Sequence, residues 1–225
     1  KNKEIKLVEG SESVDGNNSS IDAEKVKSYL GNLFSIIEKD VEKDSRLEID
    51  EKSYYTSISL DQYITLRRAN EENINDLIPE LQKILYYSKE SEKIFEVASD
   101  DPSPSIKKTV ASSRKLPVDI ARILVKDKST QVRAAVADNI NIPVDVLVSL
   151  ANDKSIKVRE AIARSSRMPA NVLEDLANDT SSKVRFSLSY NPEAPSEALR
   201  ILAKDELTKI RYFVAAHSNT SIEDL

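Results

Sequence analysis

From Ile106 onward, apolar residues recur in two alternating stripes of helical spacing. In the stretch Val132-Arg133-Ala134-Ala135-Val136-Ala137, the residues Val132, Ala135 and Val136 fall at i, i+3 and i+4. Behind Pro143, the residues Val146, Leu147, Leu150 and Ala151 make a second one-sided stripe. This pattern predicts two short helices per block. The second is opened by a proline, which a helix tolerates in its first turn because no hydrogen bond is lost there. Each helix would have about two to three turns, fewer than the roughly 12–15 residues an isolated helix needs in water. Such helices hold only by stacking on neighbouring blocks.

The blocks repeat every 26 residues, a spacing fixed by four columns. Arg133, Arg159, Arg185 and Arg211 form the first, with Lys107 one period earlier. Pro117, Pro143, Pro169 and Pro195 form the second, and Leu124, Leu150, Leu176 and Leu202 the third. The fourth is Asp127, Asp153, Asp179 and Asp205. Small residues at Ala135, Ala161, Ala151, Ala177 and Ala203 leave room for close approach of adjacent units. The aspartates are suited to capping backbone N–H groups between the second helix and the next first helix. Each is followed six residues later by a column arginine, which predicts a repeated Asp–Arg ladder.

Upstream the pattern differs. Residues 1–20 are polar, with Gly10, Gly16 and Asn17-Asn18-Ser19-Ser20, and read as a flexible tail or linker. From an N-cap at Asp22, the residues Val26, Tyr29, Leu30, Leu33, Ile37 and Val41 predict an amphipathic helix of about six turns. Ser53 to Leu60 is β-prone, Asp61 could cap a helix through Tyr63, Leu66 and Arg67 to Ala69, and another helix is expected from about Glu72 to Ser88. Strand, helix, helix is also the order of ribbon-helix-helix DNA-binding domains, but the segment is acidic and would lack phosphate attraction. The predicted division is therefore a tail over 1–20, an acidic and mostly helical module over 21–93, and a solenoid over 94–225. The whole is all-α.

The motif Val-Arg-x-x-Val-Ala, then Pro, then Leu-x-x-Leu-Ala-x-Asp, read in Val132–Asp153 and again in Val158–Asp179, resembles the leucine-rich repeat variant family, a relative of HEAT-type solenoids. The resemblance covers about 120 of the 225 residues. It implies a right-handed superhelix of alternating short helices with a role in macromolecular interaction, and it supplies no catalytic residue. Some members carry a cysteine-bound iron–sulfur cluster, a property that does not transfer to a chain with no Cys. The first unit departs from the motif, with Lys107 for Arg, Ala121 for the first Leu, and Pro102 and Pro104 crowding the turn before it. Such drift suggests a capping-like position. The last unit stops at Leu225, within its expected second helix, so the array either continues or ends frayed or covered.

Composition agrees with this class: 40% hydrophobic, 32% charged, and only 3 Gly, all before residue 32. No run approaches the roughly 18 apolar residues of a membrane span, and no signal-peptide core is visible, which points to a cytoplasmic protein. The chain begins at Lys1, so a signal or anchor upstream is compatible with it. The absence of Cys fits a bacterial cytoplasm and a bacterial surface equally. Residues 1–93 hold 14 Lys/Arg against 20 Asp/Glu, and 94–225 hold 19 against 18, so neither part is a bulk nucleic-acid binder.

No constellation for catalysis, metal or cofactor emerges. His217 is the only histidine and shares its column with Asn139, Ser165 and Asn191. The carboxylate neighbours Glu174-Asp175 and Asp100-Asp101 do not face each other on a helix. A non-enzyme is expected. Two binding surfaces come forward instead. One is apolar, from second-helix positions Val144, Val148, Ile123 and Ile201, and would serve a protein or peptide partner of an interaction scaffold. The other is a basic ladder of Lys157, Lys183 and Lys209 beside the arginine column, preceded by Lys107-Lys108 and able to track a phosphate backbone. Aromatic platforms for a single strand are limited to Phe186, Tyr190 and Tyr212.

Overall fold

In the repeat region, serine or leucine at one fixed position and proline at another open every helix. The computed structural model describes residues 47–220. The tail over 1–20 and the helix expected from Asp22 lie outside the described residues. Thirteen helices are formed, with no strand among the described residues: α1 (Leu47–Ser57), α2 (Leu60–Ala69), α3 (Ile74–Tyr87), α4 (Ser91–Ser99), α5 (Pro104–Ala111), α6 (Val118–Leu124), α7 (Thr130–Ala137), α8 (Val144–Val148), α9 (Ile156–Arg164), α10 (Ala170–Ala177), α11 (Ser182–Ser189), α12 (Ser196–Leu202) and α13 (Thr208–Ala215). From α5 on, the first helices start at residues 104, 130, 156, 182 and 208, so the structural period is the sequence period. Pro117, Pro143, Pro169 and Pro195 are the N-cap residues of α6, α8, α10 and α12, one step outside the helix rather than in its first turn.

Two layers result. The odd-numbered helices stack in order from α1 to α13, each against the next, and the even-numbered helices lie behind them, α2 beside α4, α4 beside α6 and α10 beside α12. The core sits between the layers and follows the columns. Ile106, Val132, Val158, Val184 and Ile210 are fully buried, as are Val110, Val136, Ile162, Leu188 and Val214 one turn on. The leucine column Leu124, Leu150, Leu176 and Leu202 closes it from the other layer. No helix could bury such a stripe alone, and stacking gives each unit two neighbours to bury it against. This is a helical-repeat solenoid.

The β-prone stretch from Ser53 to Leu60 is not a strand. It ends α1 and begins α2, with Ser59 as an N-cap in a full capping box: its hydroxyl accepts from Gln62 N, and the Gln62 side chain accepts from Ser59 N. Tyr55 and Ile58, three residues apart, are both buried in the common core, and that packing overrides their β-propensity. The described part of the acidic module is thus helical, and α1–α4 continue the same two layers. Residue 93 lies within α4, and one hydrophobic core runs from Tyr55 to Val214. The unit bearing Lys107 is internal to the stack, because α3 packs against α5, so its drift does not mark a capping position.

Candidate interaction face and the ladders that frame it

Each column aspartate binds in three directions. Its Oδ1 accepts the N–H of the residue two positions on, which opens the next odd-numbered helix: Ser129 to Asp127 at 2.7 Å, Ser155 to Asp153 at 2.8 Å, Ser181 to Asp179 at 2.7 Å and Leu207 to Asp205 at 2.9 Å. Its carboxylate takes a guanidinium from the unit before: Arg133 to Asp153, Arg159 to Asp179 and Arg185 to Asp205, each with Nε at 2.6 Å and a second bond through Nη2. Its carbonyl accepts from the arginine six residues later, as Asp153 O does from Arg159 Nη1 at 2.8 Å. The ladder therefore joins an arginine to the carboxylate 20 residues ahead, and only to the backbone of the aspartate six behind. Lys107 makes the first of these rungs with Asp127, and Arg211 binds Asp205 O, Glu206 O and Thr208 Oγ1, with no carboxylate among the described residues.

A further rung was hidden in the sequence. Asp101 lies one period before Asp127, and the arginine that reaches it is Arg67 of α2, at 2.6 Å from Nε. The arginine column has Leu81 at this level, so the guanidinium comes from the other layer.

At the opposite edge a second ladder uses side-chain amides. Asn139 Nδ2 donates to Ala111 O at 2.8 Å and Ser113 O at 2.9 Å, and Asn191 Nδ2 to Ala163 O at 2.7 Å and Ser165 O at 3.2 Å. Where the column holds serine, a cation two residues on reaches the preceding unit: Lys115 bonds to Tyr86 O, and Arg167 to Ile140 O and Ile142 O. His217 belongs here. Its Nδ1 accepts from Asn219 N at 3.1 Å, which leaves a proton on Nε2 to donate to Asn191 O at 2.8 Å. Nε2 thus joins the unit before, and Nδ1 closes its own turn.

Burial raises the carboxyls of Asp153, Asp179 and Asp205, but the arginine hydrogen bonds, the amide two residues on and the arginine charge outweigh it and hold all three below the ordinary range. A depressed folded value means that the stabilisation is in place above the unfolded value of about 4 and is lost as pH falls through the folded one. Urea unfolding midpoints measured between about pH 5 and pH 2 should fall steeply for the native chain, and less steeply for Asp179→Asn. Equal slopes would remove the ladder from the account of acid stability.

Between the two ladders lies the outer face of the odd-numbered helices. Lys157, Lys183 and Lys209 are exposed on it, one period apart. A groove of about 400 Å³ crosses α5, α7 and α9, lined by Lys108, Ser112, Gln131, Ala134, Ala135, Asp138, Asn139 and Lys157. Toward α13 the face carries an aromatic cluster: Phe186 lies 5.2 Å from Tyr190 and 5.3 Å from Phe213 between ring centroids, and Lys209 Nζ stands 4.2 Å over Phe186. The apolar surface expected on the second helices does not form. Only Ile123 is exposed, at 59%, while Val144, Val148 and Ile201 pack partly against the core because helices this short turn most of their surface to a neighbour. Among the described residues no three His, Asp or Glu side chains converge on a metal position, and no helix is long and apolar enough to cross a membrane.

No protein-family model matches the sequence, and no curated protein matches it either. A solved structure does: a leucine-rich repeat variant with a novel repetitive structural motif superposes at a TM-score of 0.52 and 20% identity, over 77% of this chain and 72% of that one. This chain has the leucine-rich repeat variant fold. The likeness extends beyond the roughly 120 residues that carry the motif, which agrees with α1–α4 stacking in the same layers. In this version of the leucine-rich repeat variant fold, conspicuous columns of polar residues hold one unit to the next.

Proposed function

We propose that this chain is a non-catalytic scaffold that binds a protein partner along the outer face of the odd-numbered helices. The observation that carries this reading is how the polar side chains are divided. The column arginines and asparagines are consumed in holding the stack, whereas the groove beside Lys108, Gln131 and Lys157 has polar side chains facing solvent over a floor of alanines. A solenoid builds such a surface by repetition and presents it on a rigid frame. The nucleic-acid alternative is weakened by the same division, because Arg133, Arg159 and Arg185 are neutralised by Asp153, Asp179 and Asp205.

Site-specific photo-crosslinking tests the reading. A photoreactive residue at Gln131 should yield a discrete protein adduct in an extract of the source cells, and one at Ile123, on the even-numbered layer, should not. Adducts from Ile123 alone, or from neither position, would move the partner off this face or remove it.

A further inference from the structure

The outer face is positive on a chain that is negative overall. Lys108, Lys157, Lys183 and Lys209 are exposed along it, with Asp138 and Glu160 as the opposing carboxylates, while the whole chain has a net charge of −5. Arg164 reaches Asp138 at 3.4 Å, which takes up part of one of those carboxylates. Lysine presents a compact charge on a flexible stem and pairs with a carboxylate without demanding a fixed orientation. The lysines are also periodic. Lys157, Lys183 and Lys209 occupy equivalent positions on α9, α11 and α13, which pack in succession. Packed helices lie about 8–10 Å apart. A peptide in the polyproline II conformation advances about 3.1 Å per residue with three residues per turn, so every third side chain returns to the same side one helix farther along.

Resting on the reading of this face as a protein-binding surface, we propose that its occupant is an acidic peptide in the polyproline II conformation with a carboxylate at every third residue, laid across α9, α11 and α13. Lys157, Lys183 and Lys209 pair with successive carboxylates. Ala161 and Ser187 lie on the helices beneath, and their small side chains allow close approach. Tyr190 and Tyr212, 43% and 69% exposed, receive an apolar side chain of the peptide at the α13 end. A single nucleic-acid strand fits less well. It needs stacking rings along its path, and here they are confined to α11 and α13.

The test uses the full chain and fluorescence anisotropy with three labelled probes: a peptide with glutamate at every third position and a terminal phenylalanine, its composition-matched isomer with the glutamates contiguous, and an oligothymidine. The spaced peptide should bind about tenfold tighter than its isomer, and Lys183→Glu, which exchanges one attraction for a repulsion, should weaken it about tenfold again. Lys154→Glu, an exposed reversal at the Asp–Arg edge, should leave the affinity unchanged. Because the two peptides are compared on the unaltered chain, the result does not depend on any variant folding. Equal affinity for the two peptides, no binding, an indifferent Lys183→Glu, or tighter binding of the oligothymidine overturns the proposal. Protein adducts at Gln131 without a preference for the spaced peptide would remove the acidic peptide and leave the protein-binding face standing. Loss of those adducts as well would remove both.

Discussion

Arg133→Ala should lower the stability of the folded chain by about 3–5 kcal/mol, the usual consequence of removing one partner from a buried ion pair. The side chains of Arg133 and Asp153 are only 5% and 7% exposed, so the variant leaves a carboxylate away from water with one backbone amide as its main compensation. It also orphans the carbonyls of Asp127 and Lys128, which accept from Arg133 Nη1. For a chain of this size the midpoint of thermal unfolding should fall by on the order of 10 °C. Far-UV circular dichroism during heating measures it. The double variant Arg133→Met with Asp153→Leu should recover most of the loss, because replacing a whole buried pair by apolar groups is often neutral. Arg122→Ala supplies the contrast. Its pair with Asp145 is 53% and 61% exposed, and its loss should cost less than about 1 kcal/mol. If the two single variants behave alike, burial is not what makes the column matter.

That contrast explains what was legible in the sequence. The 26-residue period, the two helices per unit and the core columns were readable because sequence period and structural period coincide from Pro104 to Ala215. The partner of each arginine was not. A spacing of six suggests a local pair, whereas the carboxylate that binds lies 20 residues ahead, on the next unit, and only stacking brings it there. The units before Ser103 escaped notice for a related reason. The longer α3 breaks the period, and Arg67 serves Asp101 from the wrong layer for a column search. For the binding face, the lysines were visible as a row, but separating them from the arginines beside them required burial. The apolar second-helix positions misled because hydrophobicity at Val144, Val148 and Ile201 reports packing on a neighbour as readily as exposure.

The second ladder should be nearly as costly to break as the first. Asn191→Ala is expected to destabilise by about 1–3 kcal/mol for each buried polar group that it leaves unpaired. Asn191 is 1% exposed, its Nδ2 serves the carbonyls of Ala163 and Ser165, and its Oδ1 accepts from Glu193 N at 3.0 Å. Truncation therefore strands groups on two units at once. Asn141→Ala, at an exposed asparagine whose side chain makes only a 3.4 Å contact with Asn139, should stay within about 0.5 kcal/mol of the native chain. The column already contains a natural version of the experiment. Ser165 is too short to reach the unit before it, and there Arg167 supplies the donors to Ile140 O and Ile142 O. The physical requirement is thus a donor to the preceding turn, whichever residue carries it. Arg167→Ala should accordingly resemble Asn191→Ala, and a double variant of the two should depart from the sum of both, since Asn191 donates to Ser165 O in the turn from which Arg167 projects. Urea unfolding of the four variants decides it. A loss at Asn191 no greater than at Asn141 would mean that water replaces these bonds and that the apolar columns alone hold this edge of the stack.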